Sequence, residues 1–249
     1  MKRINAISIS LIVLLSACHE TPKTENDAKA KNCSVLILKA DEFHEMDLPL
    51  ETIRFLEEAK ENGCSNTRLH INLGDAYFKT EQVEKAVIEF EAAKMHDPDL
   101  PVIYSNLGIA YSALNKNGPA TNSFLKAINL EPDNAENFYY LGNHQQMNNN
   151  FDGALLNLTK ATKLDPKNSL YHLKRAALLA DMGDFKSAIT NSNNALTLNP
   201  EIADKIYLFW LKTMCFIELS QSDSACFNLT RLKKIDEETD YSYIDIECN

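Results

Sequence analysis

Glycine and proline are scarce in this chain, which has 7 and 8 of them among 249 residues. Such a composition excludes a collagen-like or low-complexity protein. Basic residues are also in the minority, because 25 lysines and arginines stand against 35 aspartates and glutamates, for a formal charge of −10. Affinity for nucleic acid comes mainly from lysine and arginine neutralising phosphates, so we expect no nucleic-acid partner.

Short catalytic and metal-binding motifs are absent from the sequence as well. No HExxH, CxxC, GxSxG, GxGxxG or P-loop pattern occurs in it. The histidines have no metal-ligand spacing, and the carboxylates are scattered along predicted helix faces. We therefore expect no metal, no cofactor and no enzymatic activity. Convergent titratable groups in a closed cleft would revive the enzyme interpretation.

The first eighteen residues have the pattern of an export signal. Lys2 and Arg3 precede an apolar stretch over residues 4–15, which is too short to span a bilayer. The tetrad Leu15-Ser16-Ala17-Cys18 follows at once and resembles the bacterial lipobox. This resemblance implies a lipoprotein signal peptide over residues 1–17, cleavage before Cys18 and lipidation of the Cys18 thiol. The alternative is an ordinary signal peptide with a coincidental cysteine.

The lipobox resemblance also implies a location. Two or three acyl chains on Cys18 would anchor the mature chain stably in a membrane, so we expect a lipid-anchored protein of the bacterial cell envelope. His19, rather than an aspartate, follows Cys18 and favours the outer membrane. Residues 18–32 are polar and lack apolar periodicity, which predicts a flexible tether after the lipidated cysteine.

The rest of the sequence is dominated by a period of 34 residues. Four sets of small or helix-ending residues recur at that spacing: Pro98, Pro132, Pro166 and Pro200; Gly74, Gly108, Gly142 and then Ala176; Ala86, Ala120, Ala154 and Ala188; and Ala93, Ala127, Ala161 and Ala195. A repeat of this length is typical of a helical solenoid, in which each unit must stack on its neighbours to bury its apolar face.

The repeated pattern resembles the tetratricopeptide repeat. The unit 101–134 matches it best, with Tyr104, Leu107-Gly108, Tyr111, Phe124 and Pro132 at the expected positions. The resemblance implies an all-α fold, a right-handed superhelical solenoid of stacked antiparallel helix pairs. It places four repeats over residues 67–202, at 67–100, 101–134, 135–168 and 169–202.

Both ends of this array depart from the pattern. Residues 33–66 are predicted to form a degenerate capping helix pair, and residues 203–236 a degenerate fifth repeat whose second helix is displaced by about one turn. The acidic tail 237–249 alternates apolar and polar residues. It would either pack over the last repeat as an extension or be disordered.

The resemblance also predicts a binding surface, because positions 2, 5, 9 and 12 of each first helix line a concave groove in the family. Charge is sparse at these positions, and apolar residues alternate with tyrosine, asparagine, glutamine and serine, which suits an extended peptide or a partner helix. The predicted groove residues are Ile71, Asp75, Phe78, Val102, Ser105, Ile109, Glu136, Tyr139, Asn143, Gln146, Leu170, Leu173, Tyr207 and Leu211.

The cysteines allow two disulfides in an oxidising envelope. Cys33 opens the first helix of the capping pair and Cys64 follows its second helix, so the two lie at neighbouring ends. Cys215 and Cys226 flank the turn of the fifth repeat in a similar way. In both cases the alternative is a small buried thiol, and Cys248 is left over.

The sequence thus predicts a membrane-anchored scaffold or adaptor of the cell envelope that binds a protein partner, as a peptide or a helix, in its groove. The alternative function is a lipoprotein that binds a small ligand or a glycan. That role would need an aromatic platform or an enclosed pocket in addition to the repeats.

Overall fold

The fold is an array of paired α-helices. The computed structural model describes residues 25–236 together with residues 239, 241 and 244, and within them it has twelve helices and no strand. The helices are α1 (Glu25–Glu45), α2 (Pro49–Glu61), α3 (Thr67–Lys79), α4 (Val83–His96), α5 (Pro101–Ala113), α6 (Asn117–Leu130), α7 (Ala135–Met147), α8 (Phe151–Leu164), α9 (Ser169–Asp181), α10 (Phe185–Thr197), α11 (Ile202–Glu218) and α12 (Ser222–Ile235). Each odd-numbered helix packs on the even-numbered helix that follows it. The predicted all-α solenoid is confirmed.

The amino-terminal helix corrects one prediction. Helix α1 begins at Glu25, so residues 25–32 are helical and not part of a flexible tether. Alanine and lysine at positions 28–31 are good helix formers, and they lead directly into the buried Leu36 and Ala40. The signal peptide, the lipidation site Cys18 and the rest of the predicted tether lie outside the described residues.

The turn inside each pair has a fixed backbone conformation. One residue per turn has a positive φ, between 55° and 79°, at Asp47, Glu81, Asn115, Asn149 and Gly183. These positions are 34 residues apart, so the left-handed residue recurs with the repeat. Only one is glycine; asparagine and aspartate also tolerate this region because their short side chains can hydrogen-bond locally.

Close contact between the two helices of a repeat depends on glycine. A Cβ atom added to Gly74 would lie 2.5 Å from Cε1 of Phe90, and one added to Gly108 would lie 2.5 Å from Cε1 of Phe124. Both phenylalanines are about 1% exposed, so their rings have nowhere to move. The glycine at position 8 therefore makes room for the aromatic ring at position 24.

The later repeats keep this match with smaller side chains. A Cβ on Gly142 would meet Leu158 at 3.0 Å, which is less tight than the aromatic contacts. In the next repeat Ala176 replaces glycine and Ser192 replaces the large residue, and both are fully buried. The Ser192 hydroxyl donates to the Ala188 carbonyl at 2.9 Å, which satisfies its polar group.

The fifth pair is longer than the others. Helix α11 has 17 residues, whereas the first helices of the four preceding pairs have 13. The residue with positive φ after it is Ser220, three positions later than the 34-residue period requires. This extension is the reason for the predicted displacement of helix α12.

The disulfides differ from the sequence expectation at one end. Cys33 and Cys64 are bonded, with a Cα–Cα distance of 5.6 Å, and they tie α1 to the loop after α2. The predicted pairing of Cys215 with Cys226 is wrong: Cys215 is a free thiol buried among Ala176, Leu179 and Leu211, and Cys226 is disulfide-bonded to another cysteine. Burial raises the pKa of the Cys215 thiol to about 11, so it stays protonated.

Part of the tail packs on the last pair. Tyr241 and Ile244 are buried in a cluster with Phe209, Leu229 and Leu232. Of the two alternatives for the tail, these two residues support packing over the fifth pair. The other residues after 236, except Thr239, lie outside the described part of the chain.

Candidate partner-binding groove

The inner side of the array is lined by the first helices of the pairs. Neighbouring first helices, such as α3 and α5 or α9 and α11, contact each other, whereas no contact joins neighbouring second helices among the described residues. Helices that are close on one side and apart on the other give the stack a curvature. The groove therefore lies along α3, α5, α7, α9 and α11, which carry the predicted residues.

The predicted groove residues fall into three groups by exposure. Those that are exposed are Val102, Glu136 and Tyr207. Those that are half-buried, with part of the side chain open to solvent, are Ile71, Asp75, Phe78, Ile109, Tyr139, Asn143, Gln146 and Leu170. Ser105, Leu173 and Leu211 are buried, with exposures of 5–7%.

The three buried residues do not line the groove, which corrects the prediction for them. Ser105 donates a hydrogen bond from Oγ to Oδ1 of Asn137 at 2.6 Å, so it joins two first helices. Leu173 belongs to a core cluster that includes Leu208, and Leu211 packs with the cluster around Cys215. At these points the neighbouring first helix covers the side chain.

A ladder of polar contacts connects successive first helices along the groove. Asn72 Nδ2 donates to Asp41 Oδ1 at 2.7 Å, and Asn106 Nδ2 donates to Asp75 Oδ1 at 2.8 Å, each pair being 31 residues apart. Arg68 forms an ion pair with Asp41 at 2.7 Å. The sequence contains the signal for this ladder, since aspartate recurs at position 9 of one unit and asparagine at position 6 of the next.

The ladder continues towards the carboxyl end with other residue types. Ser112 Oγ and His144 Nδ1 are 2.8 Å apart, and Gln146 Nε2 donates to Asp181 Oδ2 at 3.0 Å. Burial raises the pKa of Asp75, and it lowers the pKa of His144. In both groups burial disfavours the charged form of the side chain.

Aromatic side chains are concentrated in the carboxyl-terminal half of the groove. The ring of Tyr139 lies 5.2 Å from that of Tyr171 and 5.3 Å from that of Tyr140, and the ring of Tyr207 lies 5.8 Å from that of Trp210. Burial raises the pKa of Tyr139 and of Tyr207, which keeps their phenols protonated. Such tyrosines offer an apolar face and a hydrogen-bonding tip to a partner.

A second polar constellation lies outside the groove, near the Cys33–Cys64 disulfide. Ser65 Oγ is 2.9 Å from His70 Nε2, and His70 Nδ1 is 2.7 Å from Glu89 Oε2. This is the contact order of a serine–histidine–carboxylate triad. However, Lys60 also binds Glu89 at 2.7 Å, and His96 Nε2 lies 2.8 Å from the same Ser65 hydroxyl.

The surroundings of this constellation are those of a packed network. Ser65 lies exposed on the loop between two pairs, rather than in a closed cleft. Glu89 is 5% exposed; burial acts to raise its pKa, but hydrogen bonds from His70 and Lys60 outweigh it and leave the pKa lowered. The network therefore holds α2, α3 and α4 together through a paired buried carboxylate. Sequence reasoning missed it because no short motif links its members.

The described part of the chain was compared with the requirements of a membrane-spanning helix and of a metal site. Within it, no helix has both the length and the apolar character needed to cross a bilayer. No three side chains of histidine, cysteine, aspartate or glutamate in that part are placed to share a metal ion.

Comparison with known proteins agrees with the repeat architecture. The tetratricopeptide repeat family model matches residues 67–99 and 102–134, so these two segments are tetratricopeptide repeats. A search of curated proteins found none that matches this sequence.

Several solved structures share the fold. One, from a functional characterization of Pseudomonas aeruginosa pilF, is 16% identical, with a TM-score of 0.69, 85% of this chain covered and 95% of that one. A tetratricopeptide repeat protein from Parabacteroides merdae is 18% identical, with a TM-score of 0.67 and coverages of 84% and 82%. YrrB, a tetratricopeptide protein with an unusual peptide-binding site, is 18% identical, with a TM-score of 0.58 and coverages of 74% and 93%. At sequence identities this low, the similarity establishes a shared fold and not a shared function.

Proposed function

We propose that this protein is a lipid-anchored scaffold of the bacterial cell envelope that binds a partner protein, as an extended peptide or a helix, in the groove of its first helices. The observation that carries the proposal is the groove itself. It presents half-buried apolar and aromatic side chains, and the aspartates, asparagines and serines beside them are already hydrogen-bonded to one another.

The chemistry of the groove suits a polypeptide. Ile109 and Leu170 offer apolar contact, and the amide oxygens of Asn143 and Gln146 can accept hydrogen bonds from a peptide backbone. The ladder holds its members in place before binding, so less side-chain entropy is lost when the partner arrives. The peptide-binding site named for YrrB supports the same use of a similar fold.

The partner can be captured by photo-crosslinking in the native envelope. A benzophenone amino acid at Val102 or Tyr207 reports on two ends of the groove, where these side chains are 44% and 37% exposed. Leu156, on a second helix and 72% exposed, is the control position. We expect the same protein adduct from both groove positions and none from Leu156. Equal adducts from all three positions, or none from the groove, would contradict the proposal.

A matched pair of charge variants tests whether the groove binds the adduct. Val102→Glu introduces a carboxylate into the groove, and Leu156→Glu introduces the same group on a second helix. We expect Val102→Glu to abolish the crosslink from Tyr207, because an apolar contact is replaced by a charge that must be desolvated. Leu156→Glu should leave that crosslink unchanged.

The proposed anchor rests on the sequence pattern of residues 1–18 alone. Cys18→Ser removes the thiol that would accept the lipid, so this variant should incorporate no radiolabelled palmitate and should leave the membrane fraction. Palmitate labelling that persists in the variant would exclude Cys18 as the modified residue.

We also propose that the protein acts by binding rather than by catalysis. The Ser65–His70–Glu89 contacts are then structural, and a fluorophosphonate probe for activated serines should not label the chain. Labelling that Ser65→Ala abolishes would instead identify a hydrolase.

A further inference from the structure

A basic cavity lies at the carboxyl-terminal end of the array, and none of its lining residues belongs to the proposed groove. It has a volume of about 650 Å³, is open to solvent, and is bordered by parts of α10, α11 and α12. Its lining includes four basic side chains, those of Lys205, Lys212, Arg231 and Lys234. The apolar side chains of Phe209 and Leu196 also border it.

This concentration of positive charge contrasts with the chain as a whole, which carries a formal charge of −10. Within the described residues, none of the four basic groups forms an ion pair with a carboxylate, although seven such pairs occur elsewhere. Lys205 donates only to the amide oxygen of Asn199, at 2.8 Å. Among the described residues, the cavity therefore gathers four cations that have no carboxylate as an ion-pair partner.

Lys212 and Arg231 carry the strongest evidence for an anion-binding site. Lys212 is 8% exposed, and its Nζ lies 5.6 Å from the centre of the Phe209 ring. The guanidinium carbon of Arg231 lies 5.7 Å from the same ring centre. Burial first, and then the charge of Arg231, lower the pKa of Lys212. Two like charges therefore share one aromatic ring, an arrangement that costs free energy until an anion neutralises it.

We propose that this cavity binds a phosphate-bearing anion. Arginine and lysine together are the side chains that recognise phosphate, arginine through its planar fork and lysine as a point charge. Four cations match a ligand of more than one negative charge, such as a diphosphate or a phosphate ester. The apolar border at Phe209 and Leu196 can accommodate a less polar part of the same ligand. This proposal does not depend on a partner in the groove.

The phosphate can come from a soluble compound or from the headgroup of an anionic phospholipid, and the experiment separates these sources. The full chain, purified in detergent, is titrated with inorganic pyrophosphate in a calorimeter. The variant Lys212→Gln/Arg231→Gln removes the two charges beside Phe209. The control variant Lys163→Gln/Lys167→Gln removes two exposed lysines outside the cavity, so it has the same net charge.

We expect saturable binding of pyrophosphate by the unchanged chain. Because the cavity variant loses two charge-assisted contacts to phosphate, it should bind at least about ten-fold more weakly. The control should bind within about two-fold of the unchanged chain, since distant exposed charges are screened by salt.

The second measurement uses Trp210, the only tryptophan of the chain, which packs in the cluster that contains Phe209. The protein is mixed with vesicles of phosphatidylcholine that contain brominated phosphatidylglycerol. Quenching of Trp210 that the cavity variant loses and the control keeps identifies the lipid headgroup as the source. Pyrophosphate binding without such quenching identifies a soluble phosphate compound. The proposal is overturned if neither probe binds, or if the cavity variant and the control respond alike.

Discussion

The two ends of the array differ in whether their buried charges are paired. At the amino-terminal end, the carboxylate of Glu89 is 5% exposed and is held by both His70 and Lys60. At the carboxyl-terminal end, Lys212 is 8% exposed and faces Arg231, a group of the same sign. A buried charge that is paired holds the surrounding helices together. A buried charge without a paired carboxylate is a place where a ligand can supply the opposite charge.

Disulfides occur at both ends, so they do not by themselves separate them. The Cys33–Cys64 disulfide ties the first pair together at the end where the charges are paired. At the other end Cys226 of α12 is also disulfide-bonded, while Cys215 of α11 is a free buried thiol. From the charges, we infer that the amino-terminal end is built for stability and the carboxyl-terminal end for binding.

Removal of the disulfide should have the largest effect. In the loop-entropy model, a cross-link that closes a loop of about 30 residues contributes about 3–4 kcal/mol. Cys33→Ala/Cys64→Ala should therefore lower the free energy of unfolding by that amount, and hydrogen exchange should accelerate in α1 and α2. Exchange in α11 and α12 should be unchanged, because a repeat array opens locally. Uniform acceleration along the chain would contradict the contrast.

Loss of the Glu89 charge should follow. Glu89→Gln keeps the shape of the side chain but leaves Lys60 without its closest carboxylate, so we expect a loss of about 2 kcal/mol in denaturant unfolding. Glu84→Gln, an exposed change on the same helix, is the control and should cost less than about 0.5 kcal/mol. Similar losses in both variants would mean that the network does not stabilise this end.

Acid should weaken the amino-terminal end selectively. The pKa of Glu89 lies below its ordinary value of 4.5. Between these two pKa values the carboxylate is ionised in the folded state, whereas in the unfolded chain it is protonated. Stability from Glu89 is therefore full above that ordinary value and is lost as the pH falls through the lowered pKa. Hydrogen exchange at low pH, corrected for its intrinsic rate, should show α3 and α4 opening more easily. Glu89→Gln should remove this dependence.

The smallest effect should have the opposite sign. Lys212→Met keeps the length of the side chain and removes a buried charge that has no ion-pair partner among the described residues, so we expect the protein to gain about 1 kcal/mol. Because the pKa of Lys212 is lowered, the unchanged protein should gain stability as the pH rises through that pKa towards 10.5, and the variant should lack this gain. Destabilisation by Lys212→Met would mean that an anion of the chain itself already pairs with Lys212.

The repeat architecture could be predicted from the sequence because one geometric requirement recurs every 34 residues. Gly108 is needed where Phe124 packs, and Pro132 follows where the second helix has ended. Each such position reports on local packing and is independent of the rest of the chain. The extension of α11 was detectable as well, since it displaces the pattern of α12.

Features that depend on contacts between units were harder to predict. Ser105 was assigned to the groove by its position, but Asn137 of the next unit covers and binds it. Cys215 and Cys226 looked suited to pair, but the long helix α11 carries Cys215 into the core. The basic cavity draws its cations from α11 and α12, so no single segment of the sequence contains its pattern.

The fit between glycine and phenylalanine inside the repeats also limits how these units can evolve. Gly108→Ala would clash as long as the Phe124 ring fills the space beside it. If Phe124 is first replaced by a smaller residue, the added methyl group of alanine can be accommodated. Ala176 and Ser192 have the composition that such a path would reach. Changes at these two positions should therefore occur in a fixed order, with the large residue replaced before the glycine.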